Sequence, residues 1–254
     1  MNNAKLFILV GLTILLFGCG GGGSGSSATG DANTSYEAVQ GVWTGIYTKS
    51  SSLQFQSLAL ITSDGQVGIE LGNGTYFTGG KLDSTSNLIA GYESTATSAI
   101  ASLGTTVTPS QSLSILVLNG GYLLGAGDSI SSVYNIAYDK SSSMQKLAGT
   151  WSGAFDNSTG VPLNVTIRIA QDGTISGTSS TGFTLTGNIS AISSKNEYSA
   201  TLTINNPGAN YTINGMYDGI ATLLDSTALD DTLIVFLLGT QQYKTIGEMK
   251  LQRN

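Results

Sequence analysis

Over much of this chain the apolar residues recur at every second position. Leu163, Val165, Ile167 and Ile169 alternate with Asn164, Thr166, Arg168 and Ala170. Tyr198, Ala200, Leu202 and Ile204 alternate with Ser199, Thr201 and Thr203, and Phe183, Leu185, Gly187 and Ile189 follow the same rule. A period of two sends successive side chains to opposite faces of a strand, so one face packs a core and the other meets water. Asp64-Gly65 and Asp172-Gly173 fall between such runs and read as tight hairpin turns. Helical periodicity is nearly absent. Short, regularly spaced strands with turn residues between them predict a sandwich or a barrel. Consecutive antiparallel strands that close on themselves leave no open edge, which favours the barrel.

The pattern is written twice. Gly41-Val42-Trp43-Thr44-Gly45 returns as Gly149-Thr150-Trp151-Ser152-Gly153, 108 residues later (151 − 43), and these are the only two tryptophans. Asp64-Gly65 with Asp172-Gly173, and Thr78-Gly79 with Thr186-Gly187, keep that offset. Asn119-Gly120-Gly121-Tyr122 and Asn214-Gly215-Met216-Tyr217 lie 95 apart (217 − 122), which assigns 13 residues, Thr95–Val107, to an insertion in the first copy. Each copy, roughly 105 residues, is long enough to bury its own core. The expected fold is therefore all-β: two tandem antiparallel up-and-down β-barrels of about eight strands each, at 36–146 and 147–254.

Composition removes most chemistries. The 254 residues include no histidine and one cysteine. Without imidazole there is no Ser-His-Asp triad and no histidine-liganded metal. One cysteine allows neither an internal disulfide nor a cysteine-cluster metal site. A net charge of −6 argues against nucleic acid, which needs a basic face. Gly-x-Ser-x-Gly is absent in a strand–turn–helix setting, and Ser143-Met144-Gln145-Lys146 fits Ser-x-x-Lys only in the connector between copies. The glutamates are too scattered to suggest the close carboxylate pair of a retaining glycosidase. No enzyme, cofactor or metal is expected.

The N-terminus carries an address. Lys5 precedes twelve apolar or small residues, Leu6–Phe17, too few for the ~20 that a spanning helix needs. The run ends in Leu16-Phe17-Gly18-Cys19, which resembles the lipobox of bacterial lipoproteins. That resemblance implies a signal peptide at 1–18, cleavage before Cys19, and acylation of the Cys19 thiol and amino group. In such proteins an aspartate after the cysteine retains the product at the inner membrane; Gly20 stands there, implying the outer membrane of a Gram-negative bacterium. Lipid chains supply the anchoring energy, at about 0.8 kcal/mol per buried methylene. From Gly20 to Ser35 no apolar residue is larger than alanine, so 19–35 reads as the lipidated cysteine and a flexible linker with a reach of about 20 Å.

Gly-x-Trp on a first strand resembles the signature of the lipocalin-like, or calycin, barrels. In that superfamily an Arg or Lys from the last strand packs over the tryptophan and closes the barrel end. Here the last strand places Gly247, Met249, Leu251 and Arg253 on one side, so the resemblance assigns barrel closure to Arg253 stacked on Trp151. Lys140 and Lys146 are the candidates for the same role against Trp43. Trp43, Trp151, Tyr122 and Tyr217 are also candidate ligand contacts, weighed against plain core and turn roles. Asp225, Asp230 and Asp231 offer oxygens for calcium, but their spacing matches no calcium loop and reads as a solvated turn.

One stretch breaks the alternation. Leu233-Ile234-Val235-Phe236-Leu237-Leu238 is apolar on both faces, and Leu113–Leu118 comes near to it. An exposed outer face of that kind would be a large apolar patch, so something must cover it. Packing of one barrel on the other is the simplest cover; a partner protein or membrane contact is the alternative. Two functions remain. The first is a non-catalytic envelope lipoprotein whose barrels bind a small apolar or envelope-derived ligand, with Gly45, Gly153, Gly187 and Ala200 leaving room inside. The second is a structural or interaction lipoprotein with packed barrels, acting in adhesion, envelope assembly or docking of an envelope protein.

Overall fold

The computed structural model describes residues 36–37, 39–72, 76–82, 88–91, 101–108, 112–119, 127–157, 162–205, 214–225, 228–239 and 247–254. Its first half contains β1 (Gly41–Thr48), β2 (Gln54–Ile61), β3 (Gln66–Leu71), β4 (Tyr76–Leu82), β5 (Leu88–Gly91), β6 (Ala101–Thr108), β7 (Ser112–Asn119) and β8 (Ser129–Asn135). A 3-10 turn, Ile136–Asp139, and one helical turn, Met144–Leu147, lead into the second half. There follow β9 (Gly149–Asn157), β10 (Leu163–Ile169), β11 (Thr174–Ser179), β12 (Thr184–Ala191), β13 (Tyr198–Asn205), β14 (Gly215–Leu224), β15 (Thr232–Gly239) and β16 (Gly247–Arg253). Strands β9 to β16 form a closed eight-stranded antiparallel barrel, with β16 paired back onto β9. In the first half β8, β1, β2, β3 and β4 lie side by side, in that order, as a five-stranded antiparallel sheet. Among the described residues no helix is long and apolar enough to cross a membrane.

The alternation in sequence becomes alternation in burial. In β10 Leu163, Val165, Ile167 and Ile169 are buried while Asn164, Thr166 and Arg168 are exposed. The second half buries Trp151, Phe155, Phe183, Leu185, Tyr198, Leu202, Met249 and Leu251 in one cluster. At about 1.5–3 kcal/mol for each fully buried large side chain, that cluster is the main stabilising term of the barrel. The hairpin between β10 and β11 turns on Gly173, whose φ of 88° suits glycine and strains other residues. Its N–H donates to Ala170 O at 3.0 Å, and Thr174 N–H donates to Asp172 Oδ1 at 2.9 Å. The corresponding Gly65 has a φ of 81°.

The repeat needs two corrections. The stretch read as an insertion, Thr95–Val107, contains most of strand β6 (Ala101–Thr108), paired with β7, and its residues 95–100 lie outside the described ones. The match at offset 95 joined unlike places: Asn119 ends β7, whereas Tyr217 lies in β14, the sixth strand of its barrel. Likewise Val67 pairs with Gly80 where Ile175 pairs with Gly187, so Gly80 and not Gly79 stands where Gly187 does. Local tetrapeptide identity did not track register, because the loops between the strands differ in length.

The doubly apolar strand is covered from within the chain, because the two halves pack on each other. Leu233, Val235 and Leu237 of β15 face the barrel core, and Ile234 and Phe236 face the other half. With Ile220 of β14 they form one buried cluster with Val42 of β1, Leu58 and Leu60 of β2, and Tyr138. Phe236 sits where β3 has Gly68; a Cβ there would strike its ring. Leu113–Leu118 lies on β7, whose side chains are outside the described residues.

Candidate functional site

Each tryptophan closes the floor of its half. Trp43 is 2% exposed and Trp151 fully buried, and each indole N–H donates to a carbonyl four residues earlier, Val39 O at 2.9 Å and Leu147 O at 2.8 Å. The Arg253 guanidinium lies 4.2 Å over the Trp151 ring and donates to Ala148 O at 3.0 Å and to Lys146 O. The cation is thus stacked and hydrogen-bonded at once. In the first half the register position of Arg253 belongs to Tyr134, opposite Trp43. Its ring meets the indole edge-on, centroids 5.3 Å apart, and its hydroxyl donates to Asp139 at 3.0 Å. Lys140 and Lys146 do not fill that role.

Those lysines answer the aspartates instead. Lys140 Nζ lies 2.6 Å from Asp225 and 3.1 Å from Asp230, and Lys146 Nζ lies 3.4 Å from Asp230. Burial alone would lower the Lys140 pKa, but its bonds to Asp225 and Asp230 raise it above the ordinary value. Asp225 is held below its ordinary value by the Asp230 N–H and then by Lys140. Asp231 caps the same turn, accepting from Ala228 N–H at 2.7 Å. Among the described residues no group of three or more acidic or cysteine side chains is placed to hold a metal ion.

Tyr217 is buried in the core of the second barrel, with its backbone on β14. Tyr122 and Cys19 lie outside the described residues. The glycines read as leaving room do not leave any. A Cβ on Gly153 would run into Lys250 O, one on Gly187 into Thr201 O, and one on Gly45 into Ser131 O. They are small because a neighbouring backbone presses on them. Ala200 belongs to the packed core.

Sequence reasoning missed the polar groups at the seam between the halves. Glu197 is fully buried and accepts from Ser63 N–H at 2.8 Å, Ser63 Oγ at 2.5 Å and Tyr138 Oη at 2.8 Å. Burial, followed by the bond to Glu197, pushes the Tyr138 phenol far above its ordinary value. Beside it Asn196 bonds Ala137 O at 2.9 Å and Leu223 O at 2.7 Å. A second buried glutamate, Glu248 of β16, meets Glu70 of β3. Only the doubly apolar strand hinted that outward positions would be covered, and it did not say by what. Among the described residues two depressions stand out. One of about 450 Å³ runs along the seam past Asn135, Ile136, Ala137, Asp139, Lys140 and Asp225, with Ile136 77% exposed. The other, about 360 Å³, is lined by Ile46, Gln54, Phe55, Gln56 and Gly72.

No protein-family model and no curated protein matches the chain. Among solved structures it is similar to a protein of unknown function from the DUF3598 family of Nostoc punctiforme. That match is 11% identical, covers 85% of this chain and 97% of that one, and has a TM-score of 0.28. It is also similar to a "putative outer membrane protein" from Bacteroides fragilis, 14% identical over 85% of this chain and 98% of that one, with a TM-score of 0.26. At those scores neither likeness carries an argument about fold or function.

Proposed function

We propose that this chain is a non-catalytic lipoprotein of the Gram-negative outer membrane, anchored through lipid on Cys19, whose two packed β bodies act as a rigid interaction module. The observation that carries this reading is the filled interior of the second barrel. Large side chains of Trp151, Phe155, Phe183, Tyr198 and Met249 occupy the space a carrier barrel would keep for cargo. The exposed faces of its strands are mostly serine, threonine and asparagine, with Ser152 and Thr166 hydroxyls 3.0 Å apart across β9 and β10. Such a surface suits docking in adhesion or envelope assembly.

The same reading makes the first half a second tandem barrel of the calycin type. Antiparallel ladders from β4 to β5, β5 to β6, β6 to β7 and β7 to β8 support its closure. The ligand-binding reading keeps a foothold there, the depression beside Phe55. Native mass spectrometry of the Cys19→Ser chain separates the two. A bare mass and no uptake of an apolar probe dye are expected. An added mass that disappears on denaturation would replace the interaction module with a carrier.

A further inference from the structure

The seam between the halves buries two glutamates in opposite ways. Glu197 sits in a cradle of three donors. Glu248 has no such cradle. It is 2% exposed, its Oε1 has no hydrogen-bond partner among the described residues, and the side chain facing it is another carboxyl, Glu70, itself 6% exposed. Two ionised carboxylates have no donor between them, so a hydrogen bond joining them needs a proton on one. By register Glu248 stands between Phe236 of β15 and Asp156 of β9, and Glu70 stands beside Leu58 of β2. Among the described residues, the charged and titratable groups facing Glu248 are Glu70 from β3, Asp156 from β9 and Lys250 on its own strand.

We propose that Glu70 and Glu248, opposed across the contact between the two halves, hold one proton between them and make that contact a pH-sensitive joint, firm in acid and loosened as the pH rises. The pair stands beside Phe236 and Leu58 of the apolar contact, so losing the proton adds a negative charge next to those side chains. Burial, then the neighbouring Glu70 charge, holds the Glu248 carboxyl well above its ordinary 4.5, against the pull of Lys250. A group that binds its proton more tightly when folded gives its full stabilisation below the unfolded value. It loses that stabilisation as the pH climbs through the folded value. The joint therefore weakens upward from about pH 4.5, the reverse of an ion-paired carboxylate.

Hydrogen exchange of the Cys19→Ser chain between pH 5 and pH 9, corrected for the intrinsic rate, tests this. Protection of β2 and β15 should fall at least about threefold across that range, as it must if the closed joint binds the proton at least about ten times more tightly than the open one, whose carboxyl titrates near the ordinary 4.5. Glu248→Gln carries the neutral form permanently and should remove the fall; Glu70→Gln should reduce it; Asp156→Asn should leave most of it. The wild type should also show the infrared band of a protonated carboxyl at pH 5, weaker in Glu248→Gln. Unchanged protection from pH 5 to 9, a full fall in Glu248→Gln, or no such band in the wild type each overturns the proposal.

Discussion

The two halves begin alike and end differently. Each opens on a glycine with positive φ, Gly41 at 153° and Gly149 at 144°, two residues before its tryptophan. Each indole finds a carbonyl four residues back. What lies on the ring differs: Arg253 stacks on Trp151, and Tyr134 meets Trp43 edge-on from the same register position. The geometry of the site, a large flat side chain from the last strand over the first-strand indole, is retained. The chemistry is not, since an aromatic edge and a guanidinium are both attracted to the ring. The lesson is that register preserves a contact more faithfully than residue type does.

The sharpest way to break this comparison is to remove the ring. Trp151→Ala should cost about 3–5 kcal/mol and Trp43→Ala a similar amount, each through a cavity in a packed floor. Denaturant unfolding of both variants checks it. A loss under about 1 kcal/mol in either would mean that half does not rest on its floor.

Next in size is the contact the halves share. Phe236→Ala should cost about 3 kcal/mol, because its ring fills the space over Gly68 on the opposite half. Exchange protection should drop in β2 as well as in β15, although the mutation lies in β15 alone. A drop confined to β15 would show that the halves are stabilised independently.

The lids come third. Arg253→Lys keeps the charge but loses the planar stack and the forked bonds to Ala148 O and Lys146 O, and should cost about 1–2 kcal/mol. Tyr134→Phe keeps the ring on Trp43 and loses an exposed hydrogen bond to Asp139, and should cost less than about 1 kcal/mol. Equal costs from thermal unfolding would mean that the stacked cation adds nothing to the second floor.

How much of this was legible beforehand depends on which period carries the information. Alternation identified the strands and the inward faces of β10 and β13, because burial there follows position modulo two. The twin Gly-x-Trp located both floors, and the alternation of the last strand put Arg253 on the side facing Trp151. Tyr134 was not legible as its counterpart, since the first half has no cation there and nothing local assigns a tyrosine to an indole. Offsets read from short identities failed where loop lengths differ, as Gly79 and Asn119 illustrate. The glutamates at the seam were invisible for a physical reason. An outward polar residue looks the same in sequence whether water or another sheet lies over it, and only the three-dimensional neighbours of Phe236 distinguish the two.

The smallest expected effect sharpens the same contrast at low pH. Asp139 is held below its ordinary 3.8 by the bond from Lys195 at 2.6 Å, then by the Tyr134 hydroxyl. A lowered carboxyl contributes stability that is present above its unfolded value and lost as the pH falls through the folded one. Both partners are largely exposed, so the ion pair is screened and its contribution small. Asp139→Asn should therefore flatten the acid limb of the stability profile slightly, below about pH 4, and leave the behaviour above pH 5 unchanged. In the second half the lid is Arg253, held over Trp151 by bonds to backbone carbonyls and not by a carboxylate. If thermal unfolding of Asp139→Asn changes above pH 5 instead, the effect does not come from titration of this carboxyl.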